Sequence, residues 1–122
     1  MATAINTETY DDDLMIVKAT LTSDGSGDAS ASTTGSYSGR MVQFTVDNDD
    51  SDTPTANWDL TIKDDYETEV TNGLGTNLSA ATTLQTFSPQ DLEQGMMLTG
   101  NLDFVGANMG SAKTAVIVCY IE

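Results

Sequence analysis

The carboxylates are the side chains most able to do chemistry in this sequence. Its 122 residues include 19 Asp and Glu, 4 Lys and Arg, one Cys and no His. A serine or cysteine nucleophile needs an adjacent base, usually His, and the single cysteine, Cys119, lies in an apolar segment where we expect it to be buried. Paired carboxylates could hydrolyse a glycosidic bond, but a chain of this length with short loops leaves little room for a sugar-binding cleft. The composition therefore favours a protein that is not an enzyme.

The acidic run at residues 47–52 is the main candidate for metal binding. Oxygen ligands of the kind that Ca²⁺ prefers are supplied there by Asp47, Asp49, Asp50 and Asp52. An EF-hand frame that begins at Asp47 fails, because Asp52 stands where glycine is required and Trp58 where the bidentate glutamate should be. A calcium site of another kind, here or at Asp11–Asp13, stays open beside the alternative of a solvated acidic turn. With no His and one Cys, structural zinc is excluded, and no cofactor is expected.

The formal net charge of -15 limits the partners of the protein. Binding to phosphates needs clustered basic side chains, whereas the four here are scattered singly, at Lys18, Arg40, Lys63 and Lys113. Nucleic acid and anionic membrane surfaces are therefore not expected as partners. No window approaches the length of an apolar membrane span, and residues 1–10 lack the basic and apolar parts of a signal peptide. We expect the chain to be made and folded in the cytosol.

Alternating apolar residues predict β-strands for much of the chain. Leu14–Thr22 has a period of two, and so do residues 57–63, where Trp58, Leu60 and Ile62 would face inward. A further strand begins at Gly39. Its buried face is expected to carry Val42, Phe44 and Val46, and its other face Met41, Gln43 and Thr45.

Turn residues and apolar runs predict the remaining elements. A hairpin turn at Asp64–Asp65 would lead into a returning strand, Tyr66–Thr71, while residues 78–87 would form a short helical turn or a surface loop. Met97–Val105 and Ala112–Ile121 are the last two strands, and residues 105–110 join them as a hairpin loop. The predicted core contains Trp58, Leu60, Ile62, Val116 and Val118.

The number and spacing of these segments predict an all-β fold. About seven to eight short strands with turns between them are typical of an antiparallel β-sandwich or a small jelly-roll-like barrel. We expect a single β domain, residues 11–122, preceded by an N-terminal arm or edge strand, residues 1–10. The arm would pair with a neighbouring subunit by β-augmentation, since exposed strand edges extend readily. Its contact residues are expected to be Ala2, Thr3, Ala4, Ile5, Thr7 and Tyr10.

Three segments resemble a family of small virion proteins of tailed bacteriophages. They are Pro54–Asp64, Asn72–Asn77 and Gly106–Val116. In that family a Pro-Thr-x-Asn-Tyr-Asp-like strand leads to a Gly-Leu-Gly-x-Asn loop, and an Asn-Ala-Gly-x-Ala-Lys-Thr-like turn precedes a closing hydrophobic strand. This chain differs in having Trp58 at the tyrosine position and an acidic turn, Asp64–Glu67, in place of one that contains glycine. The shared motifs are structural and carry no catalytic signature.

The resemblance implies a capsid decoration, or cement, protein that binds the outer shell and braces neighbouring capsid subunits. Its partners would be the major capsid protein and further copies of itself, as a homo-trimer in preference to a dimer. It would lie on the outer capsid surface of the virion after assembly in the host cytoplasm, and the acidic charge agrees, because packaged DNA would repel it from the inner wall. Two alternatives stay open: a head-to-tail or tail-associated structural protein, and a calcium-dependent extracellular binding or adhesion module.

Overall fold

In the computed structural model, the described residues are 2–11, 14–81, 84–88, 92 and 96–122. These residues form nine β-strands and no helix. The strands are β1 (Ala2–Asp11), β2 (Leu14–Thr22), β3 (Ala29–Ser32), β4 (Tyr37–Asn48), β5 (Asp59–Lys63), β6 (Leu84–Phe87), β7 (Met96–Gly100), β8 (Asp103–Ala107) and β9 (Thr114–Ile121). The all-β prediction is confirmed, with nine strands in place of the expected seven to eight.

The strands form two antiparallel sheets. The larger sheet has six strands in the order β1-β2-β9-β4-β6, and β7 also pairs with β4. Because β7 pairs with Tyr37–Met41 and β6 with Phe44–Asp47, these two short strands lie end to end along β4. The smaller sheet has the order β3-β8-β5. One cluster of buried side chains draws on both sheets, as expected of a β-sandwich.

The core confirms the period of two in two strands. In β2, Val17, Ala19 and Leu21 are fully buried, and in the smaller sheet Leu60 and Ile62 are buried as well. Trp58 is also fully buried and forms a bridge with Leu78 just before β5 begins. The inward face predicted for residues 58–62 is therefore correct, and in β2 the buried face is the one that carries Val17, Ala19 and Leu21.

The prediction that Val116 and Val118 belong to the core is wrong. Both are only partly buried, because β9 turns its alternate residues inward: Ala115, Ile117, Cys119 and Ile121. The strand is apolar on both faces, so its period does not indicate which face is covered. Its second face lies on the outside of the larger sheet.

A β-bulge changes the phase of β4. The register against β9 shifts between Met41 and Gln43. As a result Met41 is fully buried and Val42 is only partly buried, which reverses the prediction for these two residues. Beyond the bulge the predicted face is correct, and Phe44 stacks on Phe87 of β6 with ring centroids 4.5 Å apart.

Two other predicted elements differ from the structure. Residues 66–71 return along β5 but do not form a strand: they contact it through a bridge between Lys63 and Glu69 and a backbone bond from Val70 to Ile62 at 2.8 Å. The backbone N atoms of Tyr66 and Thr68 bond to the Asp64 carboxylate. Residues 84–87 are the strand β6, although the leucine spacing of 78–87 had favoured a helical turn or loop. Pairing with β4 outweighs this weak local preference.

The predicted strand Met97–Val105 is divided between the two sheets. It begins in β7, which pairs with β4, and continues in β8, which pairs with β3 and β5. The break falls at Asn101 and Leu102. Since β8 and β9 belong to different sheets, the predicted hairpin between them is also wrong.

The segment predicted as an arm is the edge strand β1. It pairs antiparallel with β2 of the same chain, from Ala2 opposite Thr22 to Asp11 opposite Leu14, with a bulge between Ile5 and Thr7. Among the described strands, none pairs with the other edge of β1. All six residues predicted for the subunit contact lie in this strand: Ala2, Thr3, Ala4, Ile5, Thr7 and Tyr10. Their contact with a neighbouring subunit stays a prediction.

Candidate functional site

The three segments that resemble the phage family meet at one end of the sandwich. Asp59, the first residue of β5, accepts hydrogen bonds from the backbone N of Asn77 at 2.9 Å and from Nδ2 of Asn108 at 3.3 Å. Thr55 adds two bonds to the third segment, from its backbone N to the carbonyl of Met109 at 2.9 Å and from Oγ1 to the carbonyl of Asn108 at 2.7 Å. The segments are distant in sequence but form one hydrogen-bonded unit, which we call the motif cluster.

The glycine-rich loop of the motif cluster lies directly on β5. Leu60 donates its backbone N–H to the carbonyl of Gly75 at 2.7 Å, and a Cβ at position 75 would lie 2.0 Å from the carbonyl oxygen of Leu60. No side chain fits in that space, so glycine is required there by a close approach of two backbones. Leu78, just after the loop, adds two backbone bonds: its carbonyl accepts from the N–H of Asn57 at 2.9 Å, and its N–H donates to the carbonyl of Trp58 at 2.7 Å. Gly75 of the Gly-Leu-Gly motif therefore has a packing role, whereas a Cβ at Gly73 would meet nothing within 4 Å.

The loop between β8 and β9 is anchored to the loop between β2 and β3. The backbone N of Met109, whose side chain is fully buried, donates to the carbonyl of Gly27 at 3.0 Å. The hydroxyl of Ser23 donates to the carbonyl of Gly110 and accepts a bond from the backbone N of Lys113 at 2.9 Å. These bonds hold the Gly106–Val116 segment in one conformation, as expected of a structural turn.

The acidic loop after β4 uses a carboxylate to hold its own backbone. Oδ2 of Asp49 accepts bonds from the backbone N of Ser51 at 3.0 Å and of Asp52 at 2.7 Å. The four residues predicted as calcium ligands are all exposed: Asp47, Asp49, Asp50 and Asp52. Within the described part of the chain, no three acidic, His or Cys side chains are grouped so that they could hold a metal ion. Asp47 lies at the end of β4 and the other three in the loop that follows, and Asp47, Asp49 and Asp50 line one open depression beside Val116 without forming a ligand set.

Asp64 is a buried carboxylate whose role the sequence did not indicate. It is 3% exposed, and its Oδ1 accepts bonds from the backbone N of Tyr66 at 2.9 Å and of Thr68 at 3.0 Å. Its Oδ2 accepts a bond from the backbone N of Thr99 in β7 at 3.0 Å. Burial raises the pKa of Asp64, but the bonds from Thr68, Thr99 and Tyr66 outweigh burial, so the pKa lies below its usual value. Turn chemistry at Asp64–Asp65 was visible in the sequence, whereas the bond to a distant strand was not.

Cys119 is fully buried, as predicted. Burial raises the pKa of its thiol far above the usual range, because a thiolate would lose its hydration there. The thiol is therefore a poor nucleophile in the folded protein. Trp58 is also buried as predicted, and its Nε1 bonds to no group in the described part of the chain.

The outward side of the larger sheet carries partly exposed apolar residues at its centre. Their outward direction follows from alternation with buried neighbours in β2, β9 and β4. Register places Ile16 beside Tyr120, Lys18 beside Val118, and Leu84 beside Asp47, which itself lies opposite Val116. Leu84 is 56% exposed. The same side also carries polar residues, so we define this outer sheet face by Ile16, Lys18, Thr20, Gln43, Thr45, Asp47, Leu84, Val116, Val118 and Tyr120.

Comparison with known proteins identifies no relative. No protein-family model matches the chain, and no curated protein is significantly similar to it. The described residues also contain no helix of the length and hydropathy that crossing a membrane requires. The resemblance of the three segments to phage virion proteins therefore stays a prediction.

Proposed function

We propose that this protein is a non-enzymatic structural protein of a tailed-phage virion, which binds the outer shell as a decoration protein and braces neighbouring capsid subunits. The observation that carries the proposal is the motif cluster. Three separate segments that resemble the phage family contact one another around Asp59 and Thr55, so their likeness concerns one structural unit.

The chemistry of the motif cluster supports a structural role. Its polar groups bond to backbone, as Asn77 and Thr55 do, or to one another, as Asn108 and Asp59 do. Its glycine at position 75 serves a close backbone contact. A rigid module with fixed loops is what bracing between capsid subunits requires.

The charge of the protein supports a place on the outside of the shell. With a net charge of -15, the chain would be repelled by packaged DNA at the inner wall. Acidic side chains crowd the loops at the motif end of the sandwich, among them Asp24, Asp28, Asp49 and Asp52. A basic surface on the major capsid protein would be attracted to these loops. Many copies of the protein, each bound weakly, would together stabilise the shell through multivalent contacts.

The test uses phage particles from the host that produces this chain. Quantitative mass spectrometry of purified particles should find the chain in an amount comparable with the major shell protein. Particles made without its gene should still contain DNA and tails but should disassemble at a lower temperature.

Two results would contradict decoration. An amount that corresponds to a single ring per particle, together with heads that lack tails when the gene is deleted, would assign the chain to the head-to-tail connection or the tail. Complete absence of the chain from purified particles would overturn a virion role altogether.

A further inference from the structure

Asn72 and Gly73 form the only Asn-Gly pair in the sequence and lie at the tip of a turn in the glycine-rich loop. The carbonyl of Thr71 accepts a bond from the backbone N of Leu74 at 3.0 Å, so the pair occupies the two central positions of the turn. Both have a positive φ, 54° at Asn72 and 73° at Gly73, as in the type I′ turn that Asn-Gly favours. Both residues are exposed, and the turn therefore presents their peptide bond to water.

The two groups that could react at this peptide bond are both available. An asparagine side chain loses ammonia when the backbone N of the next residue attacks its amide carbon, an intramolecular step that proximity favours. Within the described residues, neither the side chain of Asn72 nor the backbone N of Gly73 makes a hydrogen bond. Glycine has no Cβ to shield its N, and a Cβ built at Gly73 would meet nothing within 4 Å, so the space around it is open.

Four other asparagines lack this freedom. The backbone N that follows each of them is already hydrogen-bonded: Asp49 to Thr114, Leu78 to Trp58, Leu102 to Thr33 and Met109 to Gly27. Three of the four also donate a bond from Nδ2, namely Asn48, Asn101 and Asn108. Breaking these bonds would add to the barrier for attack. The structure therefore separates Asn72 from these four by more than the identity of the next residue.

We propose that Asn72 is a site of spontaneous deamidation in the folded protein. The backbone N of Gly73 attacks Cγ of Asn72 and forms a C–N bond, while the Cγ–Nδ2 bond breaks and the proton of Gly73 leaves with the ammonia. Water then opens the cyclic imide at either carbonyl. Opening at Cγ gives aspartate, and opening at the backbone carbonyl gives isoaspartate, in which the main chain runs through Cγ. The reaction consumes water and needs no other reactant.

Either product alters the glycine-rich loop. Both add one negative charge to a chain whose formal net charge is already -15. Isoaspartate also lengthens the main chain just before Gly75, whose contact with Leu60 leaves no space for displacement. The modified protein should therefore unfold at a lower temperature than the fresh protein. On a particle whose proteins are not renewed, the modified fraction would increase with age, but the reaction itself does not depend on the proposed function.

The test follows the folded wild type during incubation in mildly alkaline buffer. Brief digestion in mildly acidic buffer, with a protease that cleaves after glutamate, yields peptide 70–93, which contains both Asn72 and Asn77. Tandem mass spectrometry at successive times measures the exchange of NH for O at each position. Asn77 is the internal control, because it lies exposed in the same loop but is followed by the bonded N of Leu78. Asn72 should react at least about tenfold faster than Asn77.

Two variants test the route of the reaction. In G73A the added Cβ shields the attacking N, so Asn72 should react about tenfold or more slowly. The control G25A, at another glycine whose Cβ would meet nothing within 4 Å, should leave the rate unchanged. Since a φ of 73° strains alanine, thermal unfolding checks that G73A is folded, and the comparison with Asn77 needs the wild type alone. An isoaspartate-specific methyltransferase should label the aged wild type but not aged N72S.

Three results would overturn the proposal. Asn72 that stays intact in the folded protein, while the isolated peptide 70–93 reacts, would mean that the turn protects it. Equal rates at Asn72 and Asn77 would show that the bonded N of Leu78 makes no difference. Aspartate without isoaspartate, at a rate that G73A leaves unchanged, would indicate direct hydrolysis in place of attack by Gly73. None of these results bears on the presence of the chain in phage particles.

Discussion

The carbonyl oxygen of Leu60 would lie 2.0 Å from a Cβ atom at position 75. The contact joins the glycine-rich loop to the start of β5 and leaves no space for a side chain at position 75. Loop and strand therefore pack as they do because residue 75 is glycine, and the motif cluster depends on this contact.

Replacing Gly75 with alanine should destabilise the protein strongly. The Cβ must displace either the loop or β5, and we expect the free energy of unfolding to fall by several kcal/mol, on the order of 3. The measurement is urea denaturation. G25A is the matched control, because a Cβ at Gly25 meets nothing within 4 Å, and its effect should stay within about 1 kcal/mol. Equal stability of G75A and G25A would show that the loop does not pack on Leu60.

Asp64 should contribute stability that depends on pH. Its pKa is lowered in the folded protein, so the contribution is fully present above the unfolded pKa of about 3.9 and is lost as the pH falls through the folded value. Loss of a carboxylate with three backbone donors should cost on the order of 2–3 kcal/mol at pH 7 in D64N. The exposed Asp50 supplies the control variant, D50N, which should have little effect.

The role of Asp64 is measured by the difference in unfolding free energy between the wild type and D64N. Protonation of the many acids also relieves repulsion, so the stability of the wild type alone mixes two opposing effects. The difference in unfolding free energy should narrow below pH 4, once the wild-type carboxyl is neutral as well. A difference that stays constant down to pH 2 would contradict the assigned role of the carboxylate.

Calcium should stabilise the protein no more than magnesium does. The four aspartates of residues 47–52 are exposed and, although Asp47, Asp49 and Asp50 line one depression, they form no group that could hold a metal ion; Asp49 already accepts two backbone bonds. Both ions should therefore raise the melting temperature to the same small extent, by screening charge. D49A should destabilise the loop by about 1 kcal/mol with or without calcium. A shift specific to calcium would favour the extracellular binding module, because a ligand bound only by the native state stabilises it.

Cys119 should resist thiol reagents until the protein unfolds. Its side chain is fully buried and its pKa is raised, so neither access nor ionisation favours reaction. Labelling in native buffer should be slow and should follow the rate of unfolding, whereas labelling in urea should be fast. Rapid labelling of the native protein would mean that β9 opens without global unfolding.

Local pattern located the strands in which one face is apolar and the other polar. Residues 58–62 were predicted with the correct inward face because a period of two fixes the face when the two sides differ. For β2 the period was predicted but not the buried face, because apolar residues stand on both sides. The position of β9 was predicted, but the face that is buried was not, because Val116 and Val118 are as apolar as Ala115 and Ile117. The covered side depends on which sheet lies opposite, and that is a tertiary property.

The other differences also arise from long-range contacts. The bulge at Val42 is defined by register against β9, and the end of β7 at Gly100 is defined by a change of sheet while the apolar pattern continues to Leu102. The three segments of the motif cluster were visible as separate matches, but their meeting at Asp59 depends on the fold. Asp64 resembled any acidic turn residue until its bond to Thr99 was known.

The passage of the chain from β7 to β8 has a mechanical consequence. Only Asn101 and Leu102 separate a strand of the larger sheet from the central strand of the smaller one. A force that pulls the smaller sheet away is therefore transmitted along the backbone to β7 and must peel that strand from β4 before the layers can part. On a shell under pressure from within, the two layers would bear load together, and the protein should rupture in a single step rather than layer by layer.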